Sequence, residues 1–416
     1  MIMATVRYTT DGTSTAEDSP RWMVIQAGAA LAVSMGIGRF VYTPILPMMH
    51  SQAGLSAQFG SMLATANYIG YLLGALAGIF TPAAIRSMFV LRTGLVVVVA
   101  TLVLMGLTEN HSGWFALRLI AGAASALVFV ITVSAMLARL RQQAQHLVGW
   151  GFGGVGAGIA LSGLTVLVVR ATSTWRTAWW ASAVLGLALT MVAWSLCPEG
   201  ATAPTLMQQH GDLPRTRRWF SALLLSYSLE GIGYIIAGTF LVAAINQNSP
   251  GWVGSSAWVL VGLAALPASA LWARLGQRWS RPTLLFTALI IQAAGIALPA
   301  LVGGIAPALI SAVLFGATFL GVGSIVLALG AHLQFPRAVA LLTTGYSVGQ
   351  ILGPVIATPL LHNGYHVALL VGAAIVLAAA LAAGGLRIRF PHRVGVRVEP
   401  SRRHDPAAHF VSEVRS

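Results

Sequence analysis

Residues 366–386 read HVALLVGAAIVLAAALAAGGL, an apolar stretch without Asp, Glu, Lys or Arg. About 20 such residues, coiled as an α-helix, cross the roughly 30 Å hydrocarbon core of a bilayer, so the stretch predicts a membrane-spanning helix. The rest of the chain has the same character. Of the 416 residues, 57% are hydrophobic and 8% are charged, whereas about 25% are charged in soluble domains. This composition excludes a soluble globular protein.

Apolar stretches of this length recur along the chain, separated by short polar segments. They lack the alternation of a membrane β-barrel, and a helix satisfies its own backbone hydrogen bonds in lipid. We therefore expect an all-α polytopic membrane protein with twelve transmembrane helices. The predicted spans are 22–46, 59–81, 87–108, 113–136, 147–169, 177–196, 219–245, 252–273, 283–304, 306–330, 338–361 and 366–386.

The formal charge of +14 comes from a chain whose 24 basic residues are all arginine. These arginines lie between the apolar stretches and not on a soluble face, which excludes a nucleic-acid partner. Most fall in the termini or the even-numbered loops, whereas only Arg170 and Arg176 lie in odd-numbered loops. The positive-inside rule then places both termini in the cytoplasm.

A single cysteine, Cys197, excludes an internal disulfide, and no Cys or His spacing predicts a metal site. Two segments have the residue pattern of enzyme motifs: Gly-x-Gly-x-x-Gly at 151–156 and Gly-x-Ser-x-Gly at 345–349. Both lie inside predicted spans, without the strand context that these motifs need. We interpret them as helix-packing surfaces and expect neither enzyme activity nor a cofactor.

The chain is predicted to divide into two bundles of six helices. A shift of 193 to 195 residues aligns Gly36-Ile37-Gly38 with Gly231-Ile232-Gly233, Gly122-Ala123 with Gly316-Ala317, and Gly156 with Gly349. Since six spans return the chain to its starting side, the copies are parallel repeats, as in transporters. The predicted segments are an N-terminal tail (1–21), the first bundle (22–196), a cytoplasmic linker (197–218), the second bundle (219–386) and an Arg-rich C-terminal tail (387–416).

Motifs within the spans resemble the major facilitator superfamily of transporters. Arg118-Leu119-Ile120-Ala121-Gly122 is similar to its Arg-x-x-x-Gly motif, and Gly349 to Pro354 resembles its antiporter motif. Gly36 to Pro47, followed by Asn67 to Gly74, resembles the bacterial YbfB/YjiJ-like branch. The superfamily's usual acid between the second and third spans is missing from 74–86. The resemblance implies a transporter of the bacterial inner membrane.

Three ionisable residues lie inside predicted spans: Arg39, Arg118 and Glu230. A charge at that depth is costly, so such residues are functional candidates. Glu230 lies near the bilayer midplane, where burial favours its neutral form and a nearby arginine favours the carboxylate; such an acid is suited to carry a proton. The alternative is that Glu230 only pairs with an arginine. We assign proton coupling to Glu230 and Arg118.

Arg39 and Arg118 are expected at similar depth, which suggests an anion site. A pair between Arg39 and Glu230 is compatible with the repeat. Alternatively, Arg39 snorkels to the interface or caps carbonyls freed by Pro44 and Pro47. The other candidates are aromatic or amide side chains on span faces, although such residues also hydrogen-bond neighbouring helices. The predicted substrate-binding set is Arg39, Tyr42, Asn67, Tyr71, Tyr227, Tyr234 and Gln350.

These features predict a secondary transporter that moves a small organic solute by alternating access, coupled to protons. Its partners are then the solute, protons and membrane lipid, and we expect a monomer. The antiporter-like motif favours export, whereas the two arginines favour an organic anion. A proton-independent facilitator and an uptake permease for an organic anion remain alternatives. A non-transporting sensor is disfavoured because the short loops provide no signalling domain.

Overall fold

The computed structural model describes residues 20–143, 147–198 and 216–390. Most of the predicted tails and most of the predicted linker lie outside these residues. The described part is all-α, with no strand. Its helices are α1 (Pro20–Leu31), α2 (Tyr42–Ala53), α3 (Ala57–Phe80), α4 (Pro82–Ile85), α5 (Met88–Leu107), α6 (His111–Gln143), α7 (Val148–Val169), α8 (Trp175–Ala193), α9 (Arg217–Asn248), α10 (Gly251–Ala265), α11 (Ala268–Leu275), α12 (Arg281–Leu301), α13 (Ile305–Leu333), α14 (Ala338–Ala357) and α15 (Tyr365–Leu386).

Ten helical segments of the described chain are long and apolar enough to cross a membrane. The first of these, Pro20–Ala53, joins α1 and α2. Helices α10 and α11, bent by 44° at their junction, add an eleventh if they form one span. The 24-residue α3 is not among the ten. The count among the described residues therefore stays below the predicted twelve.

Glycines let pairs of helices approach until their backbones touch. A Cβ on Gly70 in α3 would lie 1.9 Å from the Leu119 carbonyl oxygen of α6. A Cβ on Gly156 in α7 would lie 2.4 Å from the Leu266 nitrogen, beside α10. In α14, a Cβ on Gly349 would lie 2.4 Å from the Ser228 carbonyl oxygen of α9. The two enzyme-like glycine motifs therefore lie inside helices and serve packing.

Hydroxyl groups join the first six predicted spans to the last six, toward the end of the molecule opposite Pro20. The Thr43 hydroxyl donates to the Gly238 carbonyl at 2.5 Å. The Ser61 hydroxyl donates to the Pro354 carbonyl at 2.9 Å and lies 2.8 Å from the Thr358 hydroxyl. We call these three contacts the hydroxyl seal. The seal joins α2 to α9, and α3 to α14 and the residue that follows it.

Candidate functional site

The first spanning helix is broken beside the site. After α1 the chain forms a π-helix over Ala32–Ile37, with i→i−5 hydrogen bonds from Gly38 N to Val33 O and from Phe40 N to Met35 O. A turn over 38–41 precedes α2. Gly36 permits this path, because a Cβ there would lie 2.5 Å from the Gly158 Cα. The break leaves carbonyl groups without the usual partners inside the helix.

Arg118 of α6 supplies donors to these carbonyls. Its Nη1 donates to the Gly38 oxygen and its Nη2 to the Arg39 oxygen, each at 3.2 Å. The side chain is 2% exposed, and its guanidinium lies 4.8 Å from the centroid of the Tyr42 ring. The sequence suggested Arg39 as a cap for carbonyls freed by Pro44 and Pro47; in the structure Arg118 donates to two other carbonyls, those of the turn before Pro44. Arg118 therefore holds the turn that carries Arg39.

Arg39 projects from the turn into a group of aromatic rings. Its guanidinium carbon lies 4.3 Å from the ring centroid of Tyr71, 4.8 Å from that of Tyr68 and 5.4 Å from that of Phe40. The side chain is 3% exposed, and its Nε and Nη2 have no hydrogen-bond partner. Ring faces stabilise a cation, but they do not use its N–H donors. Arg39 is thus a buried cation with free donors.

Glu230 of α9 is 1% exposed and contacts one amide. Gln292 of α12 donates from Nε2 to the Glu230 Oε1 at 3.2 Å. The Glu230 Oε2 and the Gln292 Oε1, both acceptors in the ionised pair, have no partner. The ion pair seen among the described residues joins Arg176 to Glu109 and does not involve Glu230. Glu230 is therefore paired with neither Arg39 nor Arg118 in this conformation, and its neighbour is an amide.

Near-parallel aromatic rings run along α9 from the level of Glu230. The Tyr346 ring of α14 stacks on Tyr227 with centroids 4.4 Å apart and on Tyr234 with centroids 5.5 Å apart. Tyr234 stacks in turn on Phe319 of α13 at 6.1 Å. Phe319 lies 6.2 Å from Phe40, the neighbour of Arg39. The aromatic stack of Tyr227, Tyr346, Tyr234 and Phe319 thus connects the level of the acid with the buried cation.

Other predicted site residues use their polar atoms within the fold. The Tyr42 hydroxyl donates to the Gly60 carbonyl at 2.8 Å, and Asn67 Nδ2 donates to the Arg118 carbonyl at 2.9 Å. Gln350 donates to the Tyr234 hydroxyl at 2.7 Å, which fixes one ring of the stack. Tyr71 lies under the Arg39 guanidinium. Tyr234 thus belongs to the aromatic stack and Tyr71 to the rings around Arg39, whereas Tyr42 and Asn67 join helices.

Three residues that the sequence did not single out take part in the site: Tyr68, Tyr346 and Phe319. Tyr68 lies under Arg39, and its hydroxyl lies 3.0 Å from the Thr239 hydroxyl of α9. Its spacing of three from Tyr71 places both on one helix face, a signal present in the sequence. Tyr346 and Phe319 carry no comparable signal, because aromatic residues are common in membrane helices. Within the described residues no His, Cys, Asp or Glu cluster could hold a metal ion.

Comparisons with known proteins agree on the class of protein. The "Uncharacterized MFS-type transporter YceJ" of Bacillus subtilis (strain 168) is 25% identical over 279 residues, covering 64% of this chain and 70% of the relative. The crystal structure of a mutant of the nucleoside transporter NupG aligns with a TM-score of 0.66, covering 88% of this chain and 99% of that one. At 13% identity this second likeness shows the fold alone.

The family described as "Uncharacterised MFS-type transporter YbfB" matches residues 31–383, nearly the entire helical region. The match includes the break in the first helix, Arg118 and Glu230. The family and its relatives are transporters and not enzymes. The chain is a multi-pass membrane protein that belongs to this YbfB-like family of the major facilitator superfamily.

Proposed function

We propose that the protein is a proton-coupled secondary transporter for a small organic solute, with Glu230 as the proton-binding group. The observation that carries the proposal is the contact between the buried Glu230 and Gln292, with one unpartnered acceptor on each side chain. A proton on Glu230 turns one of its oxygens into a donor, so the neutral acid needs no cation beside it. The carboxylate at the same place lacks a counter-ion and is costly.

Coupling also requires that proton and solute each bind the two states of the transporter with different affinity. We propose that α3 and the bent pair α10–α11 are spans too, which completes two parallel bundles of six helices. The two bundles then rock about the site, with the termini on the cytoplasmic side of the bacterial inner membrane. The hydroxyl seal closes one end in the present conformation and opens in the other. Arg118 supports this site by fixing the turn at Arg39.

The direction of transport does not follow from the antiporter-like motif. Gly349 and Gly353 of that motif pack against the backbone or side chains of Ser228, Ile232 and Ile235 in α9. Close helix contact explains these glycines in an importer as well as in an exporter. Whether solute and proton cross the membrane in the same or in opposite directions therefore has to be measured.

A ligand screen tests the proposal. Purified wild type, Glu230→Gln and Glu109→Gln proteins are heated with organic acids, organic cations and neutral compounds at two pH values. A ligand of the folded state raises the melting temperature by mass action. We expect a ligand-induced shift that depends on pH in the wild type and in Glu109→Gln, and that loses this dependence in Glu230→Gln. Glu109 is a matched control because its ion pair with Arg176 is far more exposed.

Identical pH dependence in all three proteins would remove Glu230 from the mechanism. A facilitator that moves its solute without protons would then be the better account. Since Gln keeps an oxygen at the position of Oε1, Gln292 retains its acceptor in the variant. A loss of pH dependence therefore does not follow from a broken hydrogen bond.

A further inference from the structure

The buried guanidinium of Arg39 has no anion beside it, which is unusual for a cation in the middle of a membrane protein. Its side chain is 3% exposed, and no Asp or Glu of the described residues lies within ion-pair distance. The Nε and Nη2 groups are unpartnered donors. A buried charge and buried donors without partners are both costly. A fold that retains them provides a place for an acceptor from outside the chain.

Arg118 strengthens the requirement for a negative charge. It is a second buried cation, and its contacts are backbone carbonyls, which carry no net charge. Its Nη2 bonds to the Arg39 carbonyl, so the two arginines lie close together in the same low-dielectric region. Neither charge is neutralised by a described acid. An anion at Arg39 would be stabilised by both arginines.

The surroundings of Arg39 determine what kind of anion fits. Tyr71, which contacts the guanidinium, lies 6.4 Å from Phe129, and Phe129 lies 6.4 Å from Phe152. The aromatic stack, which meets Phe40 beside Arg39, supplies a second group of rings; in it Tyr227 and Tyr346 are inclined by 14° and Tyr234 and Phe319 by 6°. Phe129, Phe152 and Tyr346 are partly exposed. Flat rings in both groups favour a planar, apolar body.

We propose that the transported solute is an aromatic carboxylate, whose carboxylate binds the free N–H groups of Arg39 and whose ring packs against the partly exposed aromatic side chains. This inference rests on the proposed transport function and names its substrate class. Two parallel N–H groups of a guanidinium match the two oxygens of a carboxylate, which gives the recognition its geometry. The proton on Glu230 is then carried at a separate place from the substrate's charge.

Equilibrium binding to the purified protein in detergent tests the inference without a proton gradient. The probes are 2-naphthoate, the neutral 2-naphthamide, the cationic 2-naphthylmethylammonium and the non-planar cyclohexanecarboxylate. Calorimetry should show the tightest binding for 2-naphthoate. We expect each of the other three to bind roughly tenfold or more weakly, since a charge-assisted hydrogen bond or an aromatic contact is lost.

Substitutions of single arginines then test which cation binds the carboxylate of 2-naphthoate. Arg39→Gln should weaken 2-naphthoate roughly tenfold or more, and Arg39→Lys should fall between it and the wild type, because an ammonium lacks the planar fork. Arg218→Gln is the matched control. Arg218 also lies over an aromatic ring, 3.9 Å from the Trp219 centroid, but on an exposed part of the chain. Its loss should leave the affinity within about twofold of the wild type.

Equal binding of the amide or the ammonium compound would overturn the inference, as would unchanged binding in a folded Arg39→Gln protein. If that variant does not fold, the relative affinities of the four probes for the wild type still test whether the site prefers an aromatic carboxylate. Failure of 2-naphthoate to bind, together with proton movement driven by another solute, would remove the substrate class and leave the transport function intact. Binding of 2-naphthoate with the same pH dependence in Glu230→Gln as in the wild type would keep the substrate class and remove the proposed proton coupling.

Discussion

Arg118 shows how one side chain can determine a helix path. It is the described donor to the carbonyls of Gly38 and Arg39, at the turn that interrupts the first span. A buried carbonyl that loses its donor costs about 1–3 kcal/mol. Arg118 is thus placed to stabilise the turn, and through the turn the position of Arg39.

Replacement of Arg118 by leucine should lower the melting temperature of the purified protein by several degrees, because two buried carbonyls lose their donors. Arg118→Lys should be intermediate, since an ammonium group reaches fewer acceptors at once. Arg92→Leu serves as the control: Arg92 also donates to a backbone carbonyl, that of Trp194, but at an exposed place. Equal melting temperatures for the two leucine variants would show that Arg118 does not stabilise the turn.

The sequence located Glu230, Arg39 and Arg118 because charges inside apolar spans are rare. It could not supply their partners. Which atoms meet depends on helix rotation and on the π-helical segment, which arise from contacts between helices far apart in sequence. Gln292 is one example: its amide is 62 residues from Glu230 along the chain and 3.2 Å away in space. A pair between Arg39 and Glu230, which the repeat allowed, is absent from this conformation, since Glu230 contacts Gln292.

The contact between α3 and α6 depends on glycine. A Cβ on Gly70 would overlap the Leu119 carbonyl oxygen, and a Cβ on Gly122 would lie 2.0 Å from the Asn67 oxygen. Both contacts are with backbone atoms, which cannot move aside as a flexible side chain can. The helices would have to separate, and the aromatic residues of α3 would move away from Arg39.

Gly70→Ala should therefore destabilise the protein by about 1–3 kcal/mol, the usual cost of overpacking. Gly78→Ala, on the same helix, is the matched control, because its nearest neighbour would be a Val130 side-chain atom at an ordinary 3.5 Å. Thermal unfolding of the two variants in the same detergent makes the comparison. A Gly70→Ala protein as stable as Gly78→Ala would mean that the two helices adjust without cost.

The length of the apolar stretches was enough to locate the helices, and the predicted spans overlap the observed helices along the described chain. It was not enough to describe their interruptions. The predicted span 22–46 is in fact α1, a π-helical segment, a turn and α2, and the predicted span 252–273 is the bent pair α10–α11. Breaks of this kind depend on partners such as Arg118 and Gly158, which local sequence does not reveal.

The hydroxyl seal offers a way to hold the two sets of helices together. The Ser61 and Thr358 hydroxyls are 2.8 Å apart, so cysteines at these positions should form a disulfide. In a Cys197→Ser background, the Ser61→Cys, Thr358→Cys protein should lose transport on oxidation and regain it on reduction. Each single-cysteine variant should transport equally well under both conditions. Full transport by the cross-linked protein would show that this end does not open during the cycle.

Proton movement in proteoliposomes tests the central claim most directly. Vesicles with a clamped membrane potential and an internal pH dye receive a gradient of a solute that stabilises the wild type. We predict that this gradient moves protons in the wild type and in Glu109→Gln, and that Glu230→Gln, although folded and able to exchange labelled solute, moves none. Proton movement in Glu230→Gln at the wild-type rate would contradict the account.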